Sequence, residues 1–334
     1  MPNPFRLGFF THLRGPADPQ QTYQEALTLF EAADQLGYDV GWVAQHHFKA
    51  GAGYLPAPFP FLAAVAARTR RLRLGTSIVI LPLEMPLRVA EDAAVVDLLS
   101  GGRLELGLGS GSDPAEFEAF GVDMATRHQR TSEGIVTLKA ALRGEQLGRA
   151  ELRLQPPAPG LANRMWLSAL SRLGAEYAAQ YEAGLLLSRA VWNEDEPTDQ
   201  LQRPVAQAYR AAWPNQTHPA RIGLSRGIYV AADKPTALAE MRADLLTAID
   251  KMVAQGRMPA GLSLEEYCRR MHLAYGHPEE AAATLAADQV LPLASDLILQ
   301  FDPVFPSLER SLAMLEQIAT QVAPALGWRP GRDT

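Results

Sequence analysis

A single cysteine, Cys268, stands among 334 residues. It has no partner for an internal disulfide and no companions for a thiolate metal site, and it suits a reducing compartment. Within Glu265-Glu-Tyr-Cys-Arg-Arg270 it reads as a packed small hydrophobe on a helix, not a nucleophile. No uncharged apolar run approaches the roughly 18 residues of a membrane span, and no signal-peptide core follows Met1-Pro-Asn-Pro-Phe-Arg6, so the expected location is the cytoplasm. Basic residues are outnumbered, 31 Lys and Arg against 37 Asp and Glu, for a net charge of -6. That balance carries no electrostatic footprint for nucleic acid or an anionic membrane. Also missing is a G-x-G-x-x-G after the first strand-like segment, which argues against a dinucleotide-binding sheet.

What is present is an alternation. Leu7 to His12 is a short apolar run, and a helix follows with Leu27, Phe30 and Leu36 at helical spacing before Gly37 ends it. Further strands are predicted at Asp39–Gln45, Leu72–Leu81, Leu104–Gly111, Met165–Ala169, Gly184–Ser188, Ile222–Val230 and Asp296–Phe301, each leading to a helix. Eight such units predict a parallel (β/α)8 TIM barrel in one domain over residues 1–334, with insertion loops at the C-terminal face after strands two, four and seven. A doubly wound sheet is the alternative. The segment 49–60, with Gly51, Gly53, Pro56, Pro58 and Pro60 around Tyr54 and Phe59, is a loop on the side of the barrel where the second strand ends.

In a barrel the chemistry gathers at the carboxyl ends of the strands. His12, Gln45, His46, His47, Thr76, Ser77, Ser110, Ser168, Ser188, Arg189, Ser225 and Gln300 would share that mouth. No carboxylate stands at a strand end before Asp302, which speaks against glycosidases, with their two facing carboxylates, and against metal-dependent hydrolases, with their His and Asp ligand sets. Neutral polar groups, one or two histidines and an aromatic, proline-rich loop suit a planar organic cofactor that brings its own chemistry. Ser168-Ala-Leu-Ser-Arg-Leu-Gly174, at a helix N-terminus, offers backbone N–H groups, two hydroxyls and Arg172 to a phosphate monoester, and FMN fits that description. Each feature also has a plainer reading: His46 as a hydrogen-bonded strand-end histidine, Trp42 as core, Ser171 as a helix cap and Glu194-Asp-Glu196 as a solvated loop.

Four segments in order make the chain resemble the bacterial luciferase-like flavin monooxygenases. They are Trp42-Val-Ala-Gln-His-His-Phe48; Leu74-Gly-Thr-Ser-Ile-Val-Ile-Leu-Pro82 with Pro86-Leu-Arg-Val-Ala-Glu-Asp92; Leu98-Leu-Ser-Gly-Gly-Arg-Leu-Glu-Leu-Gly-Leu-Gly-Ser-Gly111 running to Gly121; and Trp166-Leu-Ser-Ala-Leu-Ser171 with Gly184-Leu-Leu-Leu-Ser188. The resemblance implies a (β/α)8 barrel that binds FMN, receives reduced flavin from a separate NAD(P)H:flavin reductase, and adds O2 at flavin C4a to form a hydroperoxide that oxidises a small organic substrate. It implies His46 as catalytic acid or base with His47 as its companion at the flavin. Thr76 and Ser77 would belong to a third-strand bulge under the flavin ring, often with a non-proline cis peptide, and Ser168, Ala169, Ser171, Arg172, Ser188 and Arg189 would contact phosphate and ring. Two departures follow: the luciferase reactive cysteine corresponds to Gly109, and its phosphate-binding arginine to Ser110. Arg172, Arg189 or Arg226 would then meet the phosphate charge. Closure of loop 49–60, and of the 190–200 and 255–275 excursions, is expected to exclude water, and a homodimer is expected. An F420-dependent hydride-transfer enzyme and a non-catalytic flavin-binding protein remain as alternatives.

Overall fold

The computed structural model describes residues 4–15, 18–49, 51–149, 151–191, 196–214 and 217–331. The chain begins with β1 (Arg6–Thr11), α1 (Pro19–Leu36), β2 (Val40–Val43), α2 (Pro58–Arg68), β3 (Arg73–Thr76), β4 (Val79–Ile80), α3 (Pro86–Ser100) and β5 (Leu104–Gly109). It continues with α4 (Pro114–Ala119), α5 (Arg127–Leu142), β6 (Met165–Ser168), α6 (Arg172–Gln180), β7 (Gly184–Leu187), α7 (Thr198–Ala212) and β8 (Ile222–Val230). The last third is α8 (Lys234–Ala254), α9 (Leu264–Arg270), β9 (Ala274–Gly276), α10 (Pro278–Ala286), β10 (Asp296–Gln300) and α11 (Leu308–Gln317). Helix starts follow local chemistry. Asp18 caps α1 by accepting from Gln21 N, and Gly37 closes it in the left-handed region at φ 84°.

All named strand pairs are parallel, in the order β10-β1-β2-β3-β5-β6-β7-β8, and β8 pairs back to β10 through Asp296↔Gly223 to Gln300↔Gly227. This closes the eight-stranded barrel that the alternating pattern predicts. Two strands are additional to the eight. The excursion after α8 returns as β9, which extends the sheet beside Ile228–Val230. The predicted third strand is interrupted: pairing with β5 stops at Gly75↔Glu105 and resumes at Val79↔Leu108, so four residues on one side answer three on the other. That is a one-residue bulge. It contains the Ser77–Ile78 peptide in the cis form. The Thr76 hydroxyl patches the broken ladder, donating to Gly107 O and accepting from Gly107 N, each at 2.8 Å. A Cβ at Gly107 would stand 1.9 Å from Thr76 O, so only glycine permits this approach.

The interior of the barrel is packed, not hollow. Val40, Trp42, Trp166, Leu186 and Ile298 form its central cluster, and the two indoles meet edge to face at 5.6 Å. Gly75 and Gly184 make room for them, since a Cβ at either would lie 2.2 Å from an indole ring. Trp42 is therefore core, as expected.

The floor of the barrel is ionic. Glu105 receives Arg6 at 2.8 Å, Arg73 at 2.6 Å and the Trp166 indole N–H at 2.7 Å, with Arg221 at 3.5 Å. Asp296 pairs with Arg6 at 2.7 Å. These residues lie at the amino-terminal ends of their strands, opposite the mouth, where buried charge serves stability and not chemistry.

Candidate active site

At the mouth, the backbone places His46 and His47 three and four residues beyond β2. His46 is half-buried, and its Nε2 lies 2.9 Å from Nδ1 of His12, at the end of β1. The two imidazoles stack at 5.1 Å with an interplanar angle of 24°. One ring must donate and the other accept, so the pair shares one proton along this contact. Burial lowers the pKa of His46 to about 4, with Arg14 and His47 pushing the same way and Asp113 opposing. Burial also holds His12 well below the usual histidine range, helped by Arg14, His46 and Arg189 and opposed by Gln300. Both rings are neutral at pH 7.

His47 takes another direction. Its main-chain N–H donates to Glu116 Oε1 at 2.9 Å, its ring lies edge-on to Phe120 at 4.8 Å, and its Nε2 is buried without a protein partner. Gln45 binds three segments together: its Nε2 donates to Pro56 O at 3.0 Å and Glu84 Oε1 at 2.7 Å, while its Oε1 accepts from Ile80 N at 2.7 Å. This joins β2 to the bulge.

The loop expected to act as a lid is bonded down. Leu55 O accepts from His46 N at 3.0 Å, Tyr54 N donates to Leu13 O at 2.9 Å, and the Tyr23 hydroxyl donates to Tyr54 O at 2.6 Å. Leu55 is fully buried. Among its described residues this loop is a wall of the site. Of the 190–200 excursion, Glu194 and Asp195 lie outside the described residues.

The other expected site residues spread around the rim. Ser77 N donates to Val43 O at 2.7 Å, fixing the bulge against β2. Ser110 Oγ lies 3.0 Å from Thr131 Oγ1 on α5. Ser168 is exposed, Ala169 is buried, and Ala169 N donates to Leu186 O at 3.3 Å. Ser171 caps α6 by accepting from Gly174 N at 3.2 Å, and helix geometry leaves the N–H groups of Arg172 and Leu173 for other acceptors. Ser188 Oγ donates to Ala190 O at 3.0 Å, and Ser188 O accepts from Gln202 Nε2 at 2.7 Å.

Of the three arginines expected to meet a phosphate, two have other employment. Arg226 is completely buried on the outer face of β8, donating to Asp288 at 2.6 Å and to Gln202 at 3.0 Å, so it does not reach the mouth. Arg189 pairs with Asp302 at 2.5 Å, and Arg14 pairs with the same carboxylate. Arg172 remains exposed at the start of α6. Arg14 and Glu116 were not foreseen as site residues: one follows β1 in a loop with no motif, and the other belongs to a turn that reaches His47 only in the folded chain.

A planar cofactor fits these residues on two counts. Buried Nε2 of His47 lacks a protein partner, and glycines at 107 and 109 hold β5 close against the bulge. The pH consequence is direct. With the His46 pKa near 4, a rate that requires neutral His46 in the free protein should hold flat through pH 6.5 and fall only toward pH 4, which a pH profile of kcat/KM checks.

Fold and site together define a (β/α)8 barrel protein with a neutral histidine pair and a bulged third strand at its mouth. Within that class, the chain belongs to the luciferase-like monooxygenase family, whose sequence model matches residues 5–292. It is 39% identical over 180 residues to 4-hydroxyprotoasukamycin monooxygenase of Streptomyces nodosus subsp. asukaensis, covering 51% of this chain and 48% of that one. It is 31% identical over 193 residues to the oxygenase component of flavin-dependent trigonelline monooxygenase of Acinetobacter baylyi, covering 52% of each. The matched region spans about half the length of these relatives. In structure it is similar to monooxygenase RslO1 from Streptomyces bottropensis, with a TM-score of 0.80, 25% identity, and coverage of 96% and 100% of the two chains.

Proposed function

We propose that this chain is the oxygenase of a two-component FMN-dependent monooxygenase acting on a small organic substrate. The observation that carries this reading is the neutral, half-buried His46 at the end of β2, with its N–H bonded to the 51–57 wall and its neighbour Gln45 bonded to Ile80 just past the Thr76–Ile78 bulge. The trigonelline relative, named a flavin-dependent oxygenase component, supports a separate reductase as the source of reduced flavin. Reduced FMN, when bound, would supply the two electrons that activate O2. The protein's part is to seat the ring against the bulge, keep water away and move a proton at His46 Nδ1. Ser77, His47 and Ser110 would hold the ring side, with Thr76, its hydroxyl committed to Gly107, shaping the bulge behind them; Ser168, Ala169, Ser171, Arg172, Ser188 and Arg189 would line the end nearer α6. Among the arginines, Arg172 is best placed to face a phosphate at the α6 N-terminus.

Two copies pairing through α3 is part of the same reading. Val95, Leu98 and Leu99 of that helix are exposed, the last two above 60%. Among the described residues, no helix is long and apolar enough to cross a membrane.

The test is anaerobic titration with reduced FMN and, separately, reduced F420, followed by oxygen under stopped-flow absorbance. Binding of reduced FMN and a rapid oxygen-dependent absorbance transient support the oxygenase. Selective binding of reduced F420 would replace it with hydride transfer, and stable retention of oxidised FMN with no oxygen use would replace it with flavin storage.

A further inference from the structure

We propose that His12 is the second half of a proton relay, linking His46 to solvent through a cavity that runs from the carboxyl ends of β1 and β10 out between α1 and α11. The role rests on the oxygenase reading, while the physical link between the rings does not. His46 spends Nε2 on His12, and its Nδ1 has no protein partner among the described residues, so one face of the imidazole is committed inward and the other is open to chemistry. His12, within hydrogen-bond distance of His46, is also among the residues that line a cavity of about 590 Å³. That cavity opens to solvent and has polar walls at Thr11, Arg14, Gln21, Glu25 and Asp302.

A side route answers a conflict at such a site. Oxygen chemistry on a reduced cofactor requires the mouth to stay dry, yet an acid–base group must exchange its proton once per cycle. In the relay His46 releases a proton from Nδ1 and accepts one at Nε2 from His12 Nδ1, and His12 recovers a proton from the cavity. Each ring gains one proton and loses one, and when a proton returns to His46 Nδ1 later in the cycle the same transfers run in reverse and restore the starting tautomers; neither ring accumulates as an imidazolium. That matters because burial and the facing Arg14 and Arg189 disfavour positive charge on this pair. The carboxylates near it, Asp113 and Asp302, do not offset this: Asp302 is engaged by the two arginines, and Asp113 bonds Lys49. Gln300, anchored to Ser225 at 2.6 Å, borders His12 from β10.

The experiment uses the full chain labelled with 15N-histidine, with two variants that separate the parts. His12→Asn keeps a hydrogen-bonding group where Nδ1 stood but cannot pass a proton; Leu29→Trp narrows the cavity from α1 and leaves both histidines in place. In the unloaded protein, His12 and His46 should titrate as a coupled pair, and Leu29→Trp should slow solvent exchange of the bridging N–H about tenfold. After loading with reduced FMN, His12→Asn should bind flavin as the parent does, react with oxygen about 10²-fold more slowly and lose its solvent isotope effect. Independent titration of the two rings, or unchanged exchange in Leu29→Trp, would overturn the relay. So would an oxygen reaction in His12→Asn at the parent rate, because His12 would then only orient His46. If reduced FMN does not bind the parent chain, the oxygenase reading falls, while the coupled titration and exchange still judge the link between the rings.

Discussion

Replacing His46 by alanine is expected to leave reduced-FMN binding within a few-fold of the parent and to lower product formation by about 10² to 10⁴. The asymmetry follows from where the side chain sits. Its main-chain N–H holds the wall at Leu55 O whatever the side chain is, and the bulge is fixed by Gln45 and Ser77, so the seat survives the substitution. What is lost is an imidazole at the mouth whose Nε2 already has its partner, His12, in place at 2.9 Å. Oxygen uptake should continue but yield H2O2 in place of oxidised substrate, since the unprotonated path ends in wasteful decay. Flavin titration, oxygen consumption and peroxide assay on one preparation check all three statements. Undiminished product formation would remove His46 from the mechanism. His47→Ala should behave differently. Its ring packs against Phe120 and its N–H, which survives the change, holds Glu116, so the expected result is weaker flavin binding with a smaller loss of rate.

The barrel was legible because its strands are nearly continuous apolar runs, as parallel strands buried on both faces must be. The bulge was visible from the resemblance alone. Nothing in Thr76-Ser-Ile78 by itself announces an extra residue, because the signal lies in Gly107, thirty-one positions away, whose missing side chain lets Thr76 patch the ladder. His46 announced itself at a strand end, whereas its link to His12 joins two strands that are neighbours only once β1 and β2 pair at Thr11↔Val43. Loop 49–60 shows what composition leaves open. Its prolines and glycines correctly excluded regular structure, but a proline-rich loop can be tightly bonded, and the carbonyls of Tyr54, Leu55 and Pro56 all accept hydrogen bonds from outside it. Arg226 misled for a related reason. A strand alternates faces, and its neighbour Ser225 points to the mouth residue Gln300 while Arg226 points outward to Asp288.

The largest stability effect is expected at the floor of the barrel, not at the mouth. Glu105→Leu removes the carboxylate that Arg6, Arg73 and Arg221 share and leaves Arg6 its pair with Asp296 while Arg73 and Arg221 lose their ion-pair partner. Breaking a buried ion network by deleting one member costs about 3–5 kcal/mol, because the remaining charges stay buried without compensation. Burial by itself would raise the Glu105 carboxyl, but Arg6, Arg73, Arg221 and the Trp166 N–H together overrule it and bring the pKa down to about 2. The sign follows. A carboxyl that ionises more readily folded than unfolded stabilises the fold fully above its unfolded value of 4.5, and that stabilisation is lost as pH falls from 4.5 through about 2. His46 works in the same sense at higher pH, since the unfolded chain takes up a proton near 6.5 that the folded ring refuses until about 4. Asp296, raised by burial, acts oppositely and blunts the acid limb. Urea unfolding of Glu105→Leu should therefore show a stability deficit that is large at pH 7 and narrows below pH 4.5, whereas His46→Ala should flatten the slope between pH 6.5 and 4. An unchanged deficit at pH 3 would mean that Glu105 holds the floor by packing against Trp166 and not by charge.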